Sequence, residues 1–239
     1  MQVLPKISAI IVALNEEELI RQIINELRQQ DYEGELEIIL ADGGSEDKTL
    51  ALAQKEGIKV LLSPTKGRAW QMNAAAEIAS GDILFFVHAD MRFRENTLSA
   101  LARSIAKGYA GGGFANEFDT HNGRIKQLGH YLNFRFVDKR EQSDKGIFYG
   151  DNGIFVLTHA FKKLEGFREI PIMEDYDFSR RLRNEFRTIK IKSPRIIVSS
   201  RRHLKAGFLR TRIQWILIRI LFKWGISPHF LSKCYKNIR

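Results

Sequence analysis

Ile7-Ser8-Ala9-Ile10-Ile11-Val12-Ala13 and Leu36-Glu37-Ile38-Ile39-Leu40-Ala41 are two short apolar runs separated by an amphipathic stretch. The first carries only one hydroxyl in seven residues and is rich in β-branched side chains, as expected of a strand buried on both faces. Between the runs, a helix near 16 to 30 gathers Leu19, Ile20, Ile23, Ile24 and Leu27 on one face. The alternation then continues with a helix near 46 to 56, a strand Ile58 to Leu62, a helix near 67 to 79 and a strand Ile83 to Val87. Four strands alternating with three helices within the first 90 residues predict an α/β fold with an open, mostly parallel sheet, which binds ligands beyond the carboxyl ends of its strands.

Beyond residue 90 the pattern is less regular. A Gly111-Gly112-Gly113 passage, a basic and aromatic segment near 121 to 140, and short strand candidates at 153 to 158 and 195 to 199 suggest an α+β-like second half. No Pro/Ser/Gly linker divides the chain, so one domain over 1–239 is expected. A last helix near 207 to 224 carries Ile213, Ile216, Leu217, Ile220, Leu221 and Trp224, with Arg212, Arg219 and Lys223 at spacings of seven and four on another face.

A chain of 239 residues, 44% apolar and 28% charged, supports a sizeable core and excludes disordered, collagenous and coiled-coil classes. The single cysteine, Cys234, cannot pair internally, which fits a reducing, cytoplasmic compartment. The opening residues lack a signal peptide's charged start and apolar stretch, and no apolar run is long enough to span a bilayer. The net charge of +10 is a C-terminal property: residues 178 to 239 hold 17 Lys/Arg against the single acid Glu185, while residues 1 to 177 hold 21 against 27. Nucleic acid, an anionic membrane surface and a phosphorylated small molecule all fit such a segment.

The polar motifs fall just after the strands. Strand one exits into Ala13-Leu14-Asn15-Glu16-Glu17-Glu18, and strand two into Asp42-Gly43-Gly44-Ser45-Glu46-Asp47-Lys48-Thr49, a Gly turn with Ser45 as a candidate helix N-cap. Two such exits side by side form a crevice for a nucleotide's base and ribose. Strand four ends in His88-Ala89-Asp90, an imidazole and a carboxylate that could approach one divalent ion or be ordinary loop residues. Glu174-Asp175-Tyr176-Asp177 opens a helix, where acids also suit the dipole, and Arg180, Arg181 and Arg183 follow. The phosphate loop G-x-x-x-x-G-K-[ST], a G-x-G-x-x-G after strand one and a G-x-S-x-G elbow are all absent.

In order and spacing these motifs resemble the nucleotide-sugar glycosyltransferases of family 2, which have the GT-A fold, over nearly the whole chain. Asn15-Glu16 resembles the family's Asn-Glu, Asp42-Gly43-Gly44-Ser45-x-Asp47-x-Thr49 its D-D-G-S-x-D-x-T run, and Lys66-Gly67-Arg68 with Asn73 the region that follows. His88-Ala89-Asp90 is similar to the D-x-D metal motif, Gly150-Asp151-Asn152-Gly153 to an acceptor-side segment, Glu174-Asp175 to the E-D motif, and Arg201-Arg202-His203 to a late R-R-W element. His88-Ala89-Asp90, Glu174 to Leu182 and Trp224-Gly225-Ile226-Ser227-Pro228 resemble more narrowly the small "transferase 2" branch that accompanies radical-SAM/selenodomain proteins in bacteria. The resemblance implies a nucleotide-binding half (1–90), an acceptor and catalytic half (91–204) and a basic helical extension (205–239). It implies Ala13, Asn15, Glu16, Asp42, Gly44, Lys66, Arg68, Arg201 and Arg202 as donor-binding residues. Asp175 is then the catalytic base with Glu174 beside it, Asp151 and Asn152 are acceptor-side, and Asp90 with His88 faces Mn2+ or Mg2+.

The chain departs from the pattern at three places. Gly43 replaces the second Asp of D-D-G-S, His88 the first Asp of D-x-D, and His203 the Trp of R-R-W. His88 is therefore open to three roles: ligand, diphosphate contact or structural group. The implied function is an inverting, metal-dependent glycosyltransferase acting on a nucleoside-diphosphate sugar, with Arg180 or Arg181 expected to keep Asp175 ionised. A lipid-linked or amphipathic acceptor met at the inner face of an anionic membrane fits the basic helix, and no nucleic acid is expected as a partner. The alternatives are a nucleotidyltransferase of similar fold, whose usual Gly-rich basic first loop is here the acidic Glu16-Glu17-Glu18, a basic nucleic-acid module, and a degenerate relative.

Overall fold

The computed structural model describes residues 3–119, 147–199 and 208–234. The segment near 121 to 140, Arg201, Arg202 and His203 lie outside the described residues. Eight strands form one sheet: β1 (Ile7–Ala13), β2 (Leu36–Asp42), β3 (Lys59–Leu62), β4 (Ile83–His88), β5 (Met91–Arg92), β6 (Gly111–Asp119), β7 (Ile154–Leu157) and β8 (Thr188–Ser199), in the order β3-β2-β1-β4-β7-β6-β8-β5. β5 and β7 run against the other six. Helices α1 (Ile20–Arg28), α2 (Thr49–Lys55), α3 (Arg68–Ile78), α4 (Thr97–Ala106), α5 (Thr158–Lys163) and α6 (Glu174–Glu185) cover the faces, and α7 (Phe208–Lys223) and α8 (Pro228–Cys234) follow.

The alternation of strand side chains divides the core between the two faces. Ile7, Ala9 and Ile11 pack with Ile20, Ile23, Ile24 and Leu27 of α1 on one side; Ile10 and Val12 pack with Ala69, Met72, Ala75 and Ala76 of α3 on the other. That second face also holds Phe86, Phe161, Phe167 and Phe178, with Phe86 and Phe167 meeting edge to face at 5.0 Å.

The glycine passage is the main departure from the sequence reading. Gly111 to Gly113 open β6, in the middle of the sheet between β7 and β8. A Cβ on Gly111 would lie 2.6 Å from the Phe155 carbonyl oxygen, and one on Gly112 would overlap the Ile189 carbonyl oxygen. The glycines, read from sequence only as an irregular passage, are a close-approach device inside the sheet. The last helix also packs differently from its pattern. Trp215, Ile218, Leu221 and Phe222 turn inward against Ile172, Met173, Tyr176, Ile147 and Tyr149, leaving Ile213, Ile216, Leu217, Ile220 and Trp224 exposed. With apolar residues on both sides, periodicity selects the wider stripe, whereas packing uses the aromatic one. Among the described residues no helix is long and apolar enough to cross a membrane.

The amino ends of the parallel strands are pinned by Glu37. Its carboxylate accepts hydrogen bonds from Ser8 Oγ on β1, Lys59 Nζ on β3, and the backbone N–H and hydroxyl of Ser80 before β4, the last two at 2.9 Å. Burial raises its pKa, but the bonds from Lys59, Ser8 and Ser80 outweigh burial and bring it from 4.5 to about 2. A carboxyl depressed in the folded state stabilises above its unfolded pKa and loses that contribution as pH falls toward the folded value. Urea unfolding of wild type should therefore weaken by on the order of 1–2 kcal/mol more than Glu37→Gln between pH 5 and about 2.5. Parallel pH profiles for the two proteins would show that the clamp contributes nothing.

Candidate active site

Strand register assembles the site. Ala13 lies beside Asp42 and Val12 beside His88, so the exits of β1, β2 and β4 share one edge of the sheet. β7 runs antiparallel to β4 with Phe86 opposite Ile154, which brings the 3-10 turn Gly150–Asn152 to the same edge.

The first two exits are fastened together. Asn15, in the left-handed region at φ 55°, accepts from Glu46 N–H at 2.9 Å, and its own N–H donates to Ser45 Oγ at 2.8 Å. Glu16 N–H donates to Thr49 Oγ1 at 2.8 Å. Asp42 is fully buried, and its carboxylate accepts from Gly44 N–H, Ser45 N–H and Ser45 Oγ at 2.5–2.8 Å. Asp42 therefore shapes the loop. Ser45 is part of this knot and not a helix cap: α2 begins at Thr49, whose N–H donates to Asp47 Oδ1.

Gln71, which the sequence did not single out, completes the knot from α3. Its buried amide donates to the carbonyls of Ala13 at 2.9 Å and Ala41 at 2.8 Å. A Cβ on Gly43 would lie 3.0 Å from Gln71 Nε2, so the amide crowds the position where the family pattern has its second Asp. Exposed Lys66 reaches over Gly44, and a Cβ on Gly44 would sit 3.8 Å from Lys66 Cε.

Across the cleft, α6 opens at Met173, held at φ 70°, and presents Glu174 and Asp175. Asp175 Oδ2 accepts from Gly150 N–H at 2.7 Å and Oδ1 from Tyr176 N–H at 2.6 Å, which fixes the carboxylate's orientation. Gly150 is the seam. A Cβ there would lie 2.6 Å from His88 Nε2 and 3.6 Å from Asp175 Oδ2, so a side chain at this position would displace the His88 ring from its place beside the α6 acids. Met72, Phe86, His88, Gly150, Glu174 and Asp175 line a small pocket at this point.

Residues 8–165 match the family described as Glycosyl transferase family 2. The chain belongs to that family. An uncharacterized glycosyltransferase of Mycobacterium tuberculosis is 35% identical over 92 residues, 37% of this chain and 35% of that protein. The Campylobacter jejuni GalNAc(5)-diNAcBac-PP-undecaprenol beta-1,3-glucosyltransferase is 30% identical over 114 residues, 45% of this chain and 37% of that protein. The chain thus spans about a third of the length of these relatives. Staphylococcus aureus TarS 1-349 in complex with UDP superposes with a TM-score of 0.68 at 20% identity, covering 83% of this chain and 61% of that one. The Pyrobaculum calidifontis mannosyltransferase PcManGT, in complex with GDP-Man and Mn2+, gives 0.66 at 17% identity, covering 81% and 56%. The fold of this family 2 chain is therefore of the GT-A type, a curled α/β sheet flanked by helices.

The cation beside the acid pair is Arg68, not Arg180 or Arg181. Arg68 Nε lies 2.9 Å from Glu174 Oε1. Arg180 is exposed, and Arg181 pairs with Asp177 at 2.7 Å and donates to the carbonyls of Leu164 and Gly166. Asp177 is further held by Arg168 at 3.1 Å, so it braces α6. The i to i+4 spacing in the helix already pairs Asp177 with Arg181. Asn73 binds both backbone polar groups of Phe167, and Asn152 is buried, donating to the Phe114 carbonyl and accepting from Tyr149 N–H. Both amides brace loops. Asp151 stands at the mouth, receiving a bond from Asn116 at 3.2 Å. Desolvation in the cleft and then the negative charges of Asp175 and Asp90 raise its carboxyl to about 6, against Lys190. Burial and Arg68 bring His88 down to about 4, against Asp90 and Asp175, so its imidazole is neutral near pH 7.

Glu174 is 2% exposed, and its Oε2 has no hydrogen-bond partner. Burial raises its pKa and Arg68 opposes the rise. Removing Arg68 would lift the Glu174 pKa further above its unfolded value, a penalty that grows as pH rises. Arg68→Met should therefore destabilise by about 1–3 kcal/mol at pH 8 and by clearly less at pH 5, with Arg68→Met/Glu174→Gln restoring most of the loss. Equal losses at both pH values, measured by urea unfolding, would remove the ion pair from the account.

Proposed function

We propose that this chain is an inverting, divalent-cation-dependent glycosyltransferase that moves a sugar from a nucleoside-diphosphate donor. The observation that carries the reading is the meeting of the two motifs across Gly150, with His88 and Asp175 on either side of one backbone position. The solved neighbours with UDP, and with GDP-Man and Mn2+, support a donor of this class. Within the family we place the chain nearest the radical-SAM/selenodomain-associated branch, on the stretches 88–90, 174–182 and 224–228.

In this reading the knotted loops of β1 and β2 hold base and ribose through Ala13, Asn15, Glu16 and Gly44, with buried Asp42 acting by shaping the loop, and Lys66 and Arg68 face the diphosphate; the family resemblance alone assigns Arg201 and Arg202 to the same role. Among the described residues no three His, Cys, Asp or Glu side chains form a preformed metal cage. The donor set fits an ion that arrives with the diphosphate: the Asp90 carboxylate at the strand exit, the neutral imidazole of His88 beside it, and the further negative charge of Asp151 and Asp175 in the same cleft. Bound there, Mn2+ or Mg2+ would neutralise charge on the departing diphosphate.

Asp175 supplies the other half of the chemistry. Its carboxylate is oriented by Gly150 and Tyr176 N–H and takes the proton of an acceptor hydroxyl as that oxygen attacks the anomeric carbon. The bond to the diphosphate breaks with its electron pair going to the diphosphate oxygen, and displacement from the opposite side inverts the anomeric configuration. Glu174 holds Arg68 toward the cleft. The acceptor is in our reading lipid-linked or amphipathic and met at the inner face of an anionic membrane. The undecaprenol-linked substrate in the name of the Campylobacter relative supports it.

Calorimetry with a panel of nucleotide sugars and Mn2+, followed by donor turnover, tests the two roles separately. Asp90→Ala should abolish Mn2+-dependent donor binding; Asp175→Asn should bind donor within about threefold of wild type and lose roughly 100-fold or more in turnover. Unchanged Mn2+-dependent affinity in the first, or near-normal turnover in the second, contradicts the corresponding role.

A further inference from the structure

Among the described residues, most of the exposed large apolar side chains that the site does not use gather on the outer side of α7 and just after it. Ile213, Ile216, Leu217, Ile220 and Trp224 are 50%, 44%, 53%, 37% and 77% exposed, and at about 100° per residue they form one stripe opposite the packed Trp215, Ile218 and Phe222. Ile226 in the following turn and Phe230 on α8 are exposed as well. Contiguous exposed apolar area of this kind marks an interaction surface.

Its surroundings select the partner. Arg219 and Lys223 stand at one flank of the stripe, in a seven-and-four series with Arg212, and residues 205 to 239 contain eight Lys/Arg and no Asp or Glu. We infer that this face seats α7 and α8 in the headgroup layer of an anionic lipid bilayer, with the stripe against the acyl boundary and the cations at the phosphates. A second copy of the chain would set two purely cationic segments against each other with no acid to offset them. A soluble polyanion would leave the apolar stripe unused. At 16 residues α7 lies on the surface rather than across it, since no described helix can span a bilayer.

The inner side of the same helix reaches the site. Trp215, Ile218 and Phe222 pack in the cluster of Met173 and Tyr176, which flank Glu174 and Asp175, and Phe222 meets the Tyr176 ring edge-on at 5.9 Å. Arg219 Nη1 donates to Tyr149 Oη at 3.4 Å, next to the Gly150 whose N–H holds Asp175. The helix that carries the lipid face therefore packs directly on the residues that flank the acid pair. The surface inference rests on packing and charge alone. Its consequence, that the acceptor hydroxyl reaches Asp175 from the bilayer side, rests on the glycosyltransferase reading.

Co-sedimentation of the full chain with vesicles of phosphatidylcholine alone, and of phosphatidylcholine with phosphatidylglycerol, tests the surface. Binding to the anionic vesicles should exceed binding to neutral ones roughly tenfold or more and fall with added salt. Ile213→Ser/Leu217→Ser/Ile220→Ser should lose it by a similar factor while keeping wild-type circular dichroism and donor affinity, and Lys223→Glu should weaken it by several-fold. Any of three results overturns the inference: no anionic-vesicle binding at low salt, vesicle binding indifferent to the triple variant, or a dimer in sedimentation analysis that the triple variant dissolves. Capture by soluble polyphosphate with no vesicle binding overturns it as well. Loss of donor binding in wild type would instead contradict the catalytic reading and leave the vesicle result standing.

Discussion

Three parallel strands in fixed register, β1 between β2 and β4, set the frame to which the other groups of the cleft are added. Because Ala13 pairs with Asp42 and Val12 with His88, three polar exits emerge at one edge without any long-range side-chain search. The register is held at both ends. Glu37 ties three strands below, and Gln71 ties the carbonyls of Ala13 and Ala41 above. A one-residue slip would turn every buried strand residue to the opposite face.

On this frame the site adds a charge arrangement that a core would not tolerate elsewhere. Glu174 is buried with one oxygen unpartnered among the described residues, and the neighbouring half-exposed Arg68 offsets its charge. Desolvation, and after it the charges of Asp175 and Asp90 in the same cleft, raise the Asp151 pKa. In the proposed reading, concentrated carboxylate beside a neutral imidazole suits a divalent cation, which would in turn offset the negative charge of the diphosphate it arrives with.

Much of this was legible in the sequence. The strands of the first half are apolar runs bounded by polar exits, so β1 to β4 and the motifs that follow them could be placed by periodicity. The second half was less readable for physical reasons. Gly111 to Gly113 carry no side chain to alternate, so β6 gave no strand pattern although it is central to the sheet. Arg68 stands in the chain more than a hundred residues before Glu174, and no local spacing could pair them, whereas Arg180 and Arg181 looked suitable by proximity alone. Gln71 is an ordinary helix residue until the register brings two carbonyls beneath it. On α7, both sides are apolar, and only packing separates the buried stripe from the exposed one.

The central claim is that one cleft, at the carboxyl edge of β1, β2 and β4 and closed by α6, binds a nucleoside-diphosphate sugar. Hydrogen–deuterium exchange with and without a binding donor and Mn2+ measures this directly, because bound ligand slows local opening of the segments it contacts. The account predicts protection in peptides covering 13–16, 42–48, 66–70, 88–90 and 149–152, with little change along α4. Protection centred elsewhere, or none under saturating donor, would contradict it.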